Sequence, residues 1–526
     1  MEQQVPVLII GGSLVGLTTS MLLGRHGVRH ILVERHRGTA IHPRAAAFHQ
    51  RTMEIFRDGG VQQAVEQAAD KEFVQDGSIL SVDSLSGKEL AYYYHSMNEG
   101  VEHLSPARRL FITQIGLEPV LRARASALGA DLRYATELLD FTQDDKGVVA
   151  TIRPRDGGDE QHIRARYLIG ADGAHSPVRR ALGIKMEGRG DFAQCATIYF
   201  KADFRALLRG RNMSVVYVNQ PGQLAFFRFA ITGDAGFLAV FATFDEQGRP
   251  DNRLREGLTS ERAVEMVRAA LGVPADFPIS VENIQPWTAT AATAAVFRKG
   301  NAFLAGDAAH LMPPTGGFGG NTGVADAHNL AWKIAMVLDG RADAALLDSY
   351  EAERRPMAAL TVEQAYRRYV ERVDPSLPAQ DLADNLSDTA IELGAVYHSD
   401  ALIGSDADIV LTQEPDDRSG RVGVRLAHHW IERDGQRGST LDLAGPGFTL
   451  LAGPGGKAWV EAAGGVEDLG CHQFTNESDA AAIGLPEDGA LLLRPDAVVG
   501  WRSGQGAQAS EAVLTDALRQ LTGRAA

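Results

Sequence analysis

Three glycine-rich segments carry most of the chemistry legible in this 526-residue chain. The first is Gly11-Gly12-Ser13-Leu14-Val15-Gly16, followed at the end of the next apolar run by Glu34. Glycines at this spacing let backbone N–H groups approach a pyrophosphate at the positive end of a helix, and the distal acid suits the hydroxyls of a ribose. Serine stands at position 13, where this fingerprint usually has its second glycine, and is able to cap the helix while still presenting its N–H. Taken alone, the same residues also suit an ordinary glycine-rich turn. The second segment is Gly170-Ala-Asp172-Gly173-Ala-His-Ser176, and the third is Gly306-Asp307-Ala-Ala-His310 with a loop from Pro313 to Gly320 ending at Asn321. That loop has too little side chain to hold a metal or a nucleophile. The only cysteines, Cys195 and Cys471, are far apart and form no CxxC pair, zinc set or disulfide framework, so no metal is expected.

These segments need particular elements to hold them. Periodicity predicts a strand over 5–10, a helix over 14–26 and a second strand over 29–33, a βαβ unit around the first glycine turn. A helix over 113–128 carries Gln114 and Glu118. An apolar strand runs into Gly170, and another over 302–305 runs into Gly306. Between them, short alternating runs from Cys195 to Trp287 predict an antiparallel sheet. A helix is expected from Asn321 to Leu338, and a second over 341–372 with a break at Pro356. Prolines and turn formers mark 376–399 as a linker, and 400–526 alternates strands and helices as a small separate α/β domain.

Composition narrows the class. Hydrophobic residues at 44% and charged residues at 23% are ordinary for a folded globular chain. A net charge of −15 with no basic run argues against nucleic acid. The amino terminus has no basic region, and no apolar stretch approaches 18 residues, so secretion and membrane spanning are disfavoured and a cytoplasmic location is expected. Fifty-six glycines exceed the usual share, and the excess collects in the three segments.

Together the three segments resemble one family. The third in full, Gly306-Asp307-Ala-Ala-His310-Leu-Met-Pro313-Pro314-Thr-Gly-Gly-Phe318-Gly-Gly320-Asn321-Thr-Gly-Val-Ala-Asp326-Ala-His-Asn329-Leu-Ala-Trp-Lys333, is similar to the long motif of single-component FAD-dependent aromatic hydroxylases, the p-hydroxybenzoate hydroxylase class. Arg44-Ala-Ala-Ala-Phe-His-Gln-Arg51 and Tyr350-Glu-Ala-Glu-Arg354-Arg-Pro356 resemble the subgroup acting on phenols and polycyclic aromatic polyketides of the antibiotic type. Residues 400–526 are similar to the thioredoxin-like domain of that subgroup, but without CxxC they cannot do dithiol chemistry.

The resemblance implies an α/β fold: a Rossmann-like FAD-binding domain of the glutathione-reductase type over 1–190 and 285–375, an inserted antiparallel-sheet substrate domain over 191–284, and the thioredoxin-like domain. Residues 74–105 are assignable to either of the first two. It also implies FAD as cofactor, NADPH or NADH as transient electron donor, and O2 as co-substrate. A flavin C4a-hydroperoxide would then hydroxylate a polycyclic aromatic polyketide or related phenol. The partners expected are small molecules, in a monomer or homodimer.

Carried over residue by residue, Gly11, Ser13, Leu14, Val15, Gly16, Glu34, Arg35, Arg44, Gln114, Asp172, Asp307, Pro313, Gly317, Gly319, Gly320 and Asn321 are expected at the cofactor. Arg44 is also expected to act when the flavin moves to meet NAD(P)H, against the alternative of a surface arginine. Asp172 serves both nucleotides or merely caps a turn. A helix starting at Asn321 would aim its positive end at the flavin, where negative charge gathers on reduction. His310 reads as a structural hydrogen-bonding residue. Tyr217, Phe226, Phe241, Trp287, Pro314 and Phe318 are substrate-pocket candidates, each equally suited to a core. Asn301 and Phe318 depart from the family pattern, and an apolar side chain in the loop favours a large flat substrate or a different flavin environment. Baeyer–Villiger-type oxygen insertion, a flavin dehydrogenase, and a non-catalytic flavin-binding interaction protein remain as alternatives.

Overall fold

The computed structural model describes residues 3–41, 47–245, 253–379, 381–404, 410–417, 419–433, 435–504 and 506–524. Its first sheet has the spatial order Arg298–Lys299, Ala302–Leu304, Gln161–Gly170, Gln3–Ile10, His30–Val33 and Asp131–Arg133. The middle strands run parallel, with Ile10 opposite both Gly170 and Val33. Parallel strands are covered on both faces and so read as continuous apolar runs, and Val7, Leu8 and Ile9 are fully buried. This topology ends the Gly11, Gly170 and Leu304 segments at one edge.

Helix α1 (Leu14–Arg25) crosses between the first two parallel strands, α2 (Gln50–Asp58) follows, and α3 (Gln114–Ala127) packs on α1. The second sheet has the order His310–Leu311, Ser280–Ala294, Met186–Lys201, Ala235–Thr243, Gln223–Phe229, Met213–Gln220, Ser78–Val82 and Glu89–Tyr94. The hairpin 78–94 therefore belongs to this sheet, with Leu80 opposite Val216. A helix absent from the sequence pattern, Ser260–Leu271, covers it with Ala263, Met266, Val267, Ala270 and Leu271.

Two expectations about the long helices need correction. Helix α4 is Phe318–Leu338, beginning three residues before Asn321, because Gly317 takes the left-handed N-cap conformation at φ +70°. Helix α5, Asp348–Arg372, runs through Pro356 without a break. Proline removes one helical hydrogen bond, but Tyr350, Arg354, Met357 and Ala358 are buried around it and hold the helix. The stretch expected as a linker contains a short helix, α6 (Asp388–Leu393), docked against α2.

The carboxy-terminal sheet orders Gly470–Gln473, Thr449–Ala452, Ala490–Leu493 and Val499–Arg502, flanked by Lys457–Ala463 and Glu511–Leu521. Trp332 and Met336 of α4 are buried in the same apolar cluster as Phe448, Leu450 and Leu514, so this unit shares its core with the glycine-loop helix.

Candidate functional site

The first glycine turn is fixed by its own packing. At Gly11, with φ +107°, a Cβ would lie 2.2 Å from the Ala171 carbonyl oxygen. Glu34 accepts the Gly12 N–H at 2.6 Å and the His36 N–H at 2.8 Å. Ser13 occupies the N-cap of α1 but makes no capping bond with its side chain. Its hydroxyl instead donates to the buried carboxylate of Glu118, which also accepts the Leu14 N–H at 3.0 Å, Gln114 Nε2 at 3.0 Å and the Ala40 N–H at 2.6 Å. Three expected cofactor residues, Ser13, Leu14 and Gln114, thus converge on one acid to which the sequence patterns assigned no role. The available signal was Gln114 and Glu118 one helical turn apart. Burial pushes the Glu118 carboxyl above the usual range. Arg35 is exposed, and Arg44 lies outside the described residues.

The first and third segments meet at Val15, whose side chain fills the space beside Gly306 and Gly323. Asp172 accepts Ser176 Oγ and, at 3.0 Å, the Val178 N–H, beside Ser176 at the N-cap of the helix Pro177–Ala181. Burial raises the pKa of Asp172. Arg179 donates to the Ala308 carbonyl at 2.8 Å and joins this turn to the third segment. There, the fully buried Asp326 accepts the Gly306 N–H at 3.0 Å, His310 Nε2 at 2.7 Å and Arg354 Nε at 2.9 Å. Burial alone would raise the Asp326 pKa, but His310 and Arg354 hold it below the usual range. His310 is therefore a structural partner. Asp307 is exposed between the buried Gly306 and Ala308.

In the glycine loop, Gly316 and Gly317 have φ of +89° and +70°. Gly319 differs: a Cβ there would touch only Met312 Cγ at 3.7 Å, so the protein's own packing does not require glycine. The missing side chain leaves room for a flat ligand against the backbone and the positive end of α4. Asn321 sits one turn into α4 and its amide is fully used. Nδ2 donates to the Ala47 and Gly317 carbonyls at 3.0 and 2.7 Å, while Oδ1 accepts the His49 N–H at 2.9 Å and Thr52 Oγ1 at 2.7 Å. It clamps residues 47–52 to the loop instead of starting the helix.

Pro313 is buried and Pro314 exposed. Phe318 departs from its expected place in a substrate pocket: it is 1% exposed, packed with Ala365 and Ile391, edge-on to His49 at 5.4 Å and 5.2 Å below the Arg368 guanidinium. The helix start at residue 318 turns this ring inward, so it does not argue for a large flat substrate.

The other aromatic candidates form one wall. Ring centroids are 6.0 Å apart for Tyr217–Phe226, 5.4 Å for Phe226–Phe241 and 6.1 Å for Phe241–Trp287. The structure adds Tyr93, 5.6 Å from Tyr217, and Tyr369, 5.6 Å from Phe241. Arg372 lies 5.4 Å over the Tyr93 ring, which stands edge-on to Tyr217. Met312 of the third segment packs against both Phe318 and the Phe192–Tyr366 end of this wall.

The residues present fit FAD: an exposed acid at a buried strand end, backbone N–H groups at two helix starts, and an open glycine. When bound, FAD supplies electron transfer and oxygen activation. The chain's part is to orient the ring to be oxidised, exclude water and place positive charge. Among the described residues no cluster suits a metal, and no helix is long and apolar enough to cross a membrane.

Comparison with known proteins agrees with this geometry. Residues 4–365 match the FAD binding domain family model, and residues 419–525 match the aromatic-ring hydroxylase C-terminal model. The chain is 46% identical to a 4-methyl-5-nitrocatechol 5-monooxygenase of Burkholderia sp, over 98% of this chain and 97% of the relative. It is 38% identical to a tetracenomycin A2 monooxygenase-dioxygenase of Streptomyces glaucescens, over 99% and 97%. A solved aklavinone-11 hydroxylase, in ternary complex with FAD and aklavinone, superposes with a TM-score of 0.93 at 36% identity, covering all of both chains. This chain belongs to the family of FAD-dependent aromatic-ring hydroxylases. It is a flavoprotein monooxygenase with an FAD cofactor and the NAD(P)H dependence typical of that family.

Proposed function

We propose that the enzyme uses NAD(P)H and O2 to hydroxylate a phenol of catechol size. The observation that carries the reading is Arg372 beside the Tyr93 and Tyr217 rings, at one end of a wall whose aromatic rings are in contact with one another. A guanidinium there favours the ionised, electron-rich form of a phenol, the form most easily attacked by an electrophilic oxygen. The 46% identity to an enzyme named for a nitrocatechol supports the same size class.

A second reading, hydroxylation of a polycyclic aromatic polyketide, is supported by the TM-score of 0.93 to aklavinone-11 hydroxylase. In both, Glu34, Gln114, Asp307 and the N–H groups of Phe318 to Gly320 hold FAD. Residues 1–190 and 285–375, less the hairpin 78–94, form the FAD-binding part, and 191–284 with that hairpin the substrate part. Purified holoenzyme given NADPH or NADH with 4-methyl-5-nitrocatechol, catechol or aklavinone tests the choice. Faster reductant oxidation and a product one oxygen heavier are expected with the one-ring phenols. Turnover of aklavinone alone transfers the claim to the second reading.

A further inference from the structure

We propose that Asp388 is a positioning residue for aromatic oxidation: one carboxylate ties the hairpin of the aromatic wall to the helix that backs the glycine loop. Its oxygens divide between two structures. One accepts the Tyr94 hydroxyl at 2.6 Å; the other accepts Arg368 Nε at 3.0 Å and Nη2 at 2.7 Å. Tyr94 pairs with Ile79 and Tyr92 with Leu80, so Tyr93 between them is the extra residue of a β-bulge, where the ladder itself does not hold it. Anchoring the Tyr94 hydroxyl therefore fixes the strand end that sets Tyr93 against Tyr217.

Arg368 is the other arm. It is 1% exposed, and its guanidinium also donates to the Gln364 and Leu386 carbonyls at 3.1 and 2.7 Å while lying 5.2 Å from the Phe318 ring centroid. Phe318 begins α4, so Asp388 acts through Arg368 on the start of the glycine-loop helix. Charge follows the same logic. Arg368 and Arg372 stand one turn apart on α5, and Asp388 feels both charges but hydrogen-bonds Arg368, while Arg372 lies over the Tyr93 ring. One turn further on α6, Glu392 holds Arg109 at 2.8 Å and the Gln50 N–H, which fixes α6 itself.

The inference rests on phenol oxidation as the function, and the test separates the two. Holoenzyme variants Asp388→Asn and Tyr94→Phe, and the double variant, are compared with wild type on whichever phenol wild type oxidises. Expected are wild-type FAD content, a KM raised about fivefold in each single variant, and at least half of the reductant electrons diverted from product to hydrogen peroxide. Tyr94→Phe adds nothing further in the Asp388→Asn background, because it acts through the same carboxylate. The second readout needs no turnover: iodide quenching of flavin fluorescence rises at least about twofold in Asp388→Asn. Wild-type KM, coupling and quenching in both single variants overturn the proposal. Additive effects also overturn it, since they place Tyr94 and Asp388 on separate routes. Absence of turnover by wild type refutes the functional reading, and the quenching result then decides on Asp388.

Discussion

Replacing Arg494 by methionine tests how far the carboxy-terminal unit is built into the flavin site. Glu353 on α5 receives Arg494 Nη1 at 2.7 Å and Nη2 at 2.9 Å, Lys333 Nζ at 2.9 Å, Asn329 Nδ2 at 2.6 Å and Ser399 Oγ at 2.7 Å. Arg494 also pairs with Asp496 at 2.6 Å, and these charged side chains are 0–2% exposed. Two carboxylates and two cations balance. Arg494→Met leaves two buried carboxylates facing one lysine, a loss of about 3–5 kcal/mol against a typical total of about 5–15. At about 2–4 °C per kcal/mol for a cooperative unit of some 200 residues, the expected drop is roughly 6–20 °C.

The midpoints of flavin release and of the tryptophan transition, whose signal includes Trp332 packed on Phe448, should fall together in Arg494→Met. Arg494→Met/Asp496→Asn restores charge balance and should recover at least about half of the loss. A change under about 1 kcal/mol, or a tryptophan transition that moves while flavin release stays put, refutes the shared-core account.

Three further outcomes follow from charged side chains. Glu118 gathers Ser13, Leu14 and Gln114 where the cofactor pyrophosphate is expected, and burial already raises its pKa, so FAD binding to apoenzyme should favour its protonated form and weaken as pH rises. Glu118→Gln should flatten that dependence in a fluorescence titration and tighten binding about threefold at pH 8; an unchanged slope contradicts it. Glu54 joins α2 to Arg425; burial would raise its carboxyl, but Arg425 and Arg51 hold it at about 2 against an ordinary 4.5. The stability it contributes, on the order of 3 kcal/mol, is present above pH 4.5 and lost as pH falls toward 2, so acid unfolding of Glu54→Gln should show a shallower slope across that window. Arg372→Met should raise KM for ionised phenols about tenfold with FAD affinity unchanged, measured by steady-state kinetics and fluorescence titration.

Much of the fold was legible because the three glycine segments sit where apolar strands end, and strand polarity then places them at one edge. The inserted sheet was legible from its alternation, and the aromatic candidates on it do form one wall. Other features depend on contacts between residues distant in sequence. Glu118 looks like any helix acid until Ser13 and Leu14 are brought to it. Asn321 resembles a helix start, but Gly317 accepts the left-handed conformation and moves the start to Phe318, turning Phe318 inward and the Asn321 amide toward residues 47–52. Pro356 fails to break α5 because burial outweighs one lost hydrogen bond. Asp388 and Glu392 lie among turn formers, and only packing against α2, α5, the hairpin at Tyr94 and Arg109 gives them partners.

Oxygen transfer to an aromatic ring by this FAD enzyme is tested most directly by turnover of holoenzyme with NADPH or NADH and a one-ring phenol under 18O2, read by product mass and carbon NMR. A ring-hydroxylated product carrying one labelled oxygen, with reductant consumed in equal amount, is predicted. Unlabelled product, or reductant consumed with only hydrogen peroxide formed for every phenol and polyketide offered, contradicts it.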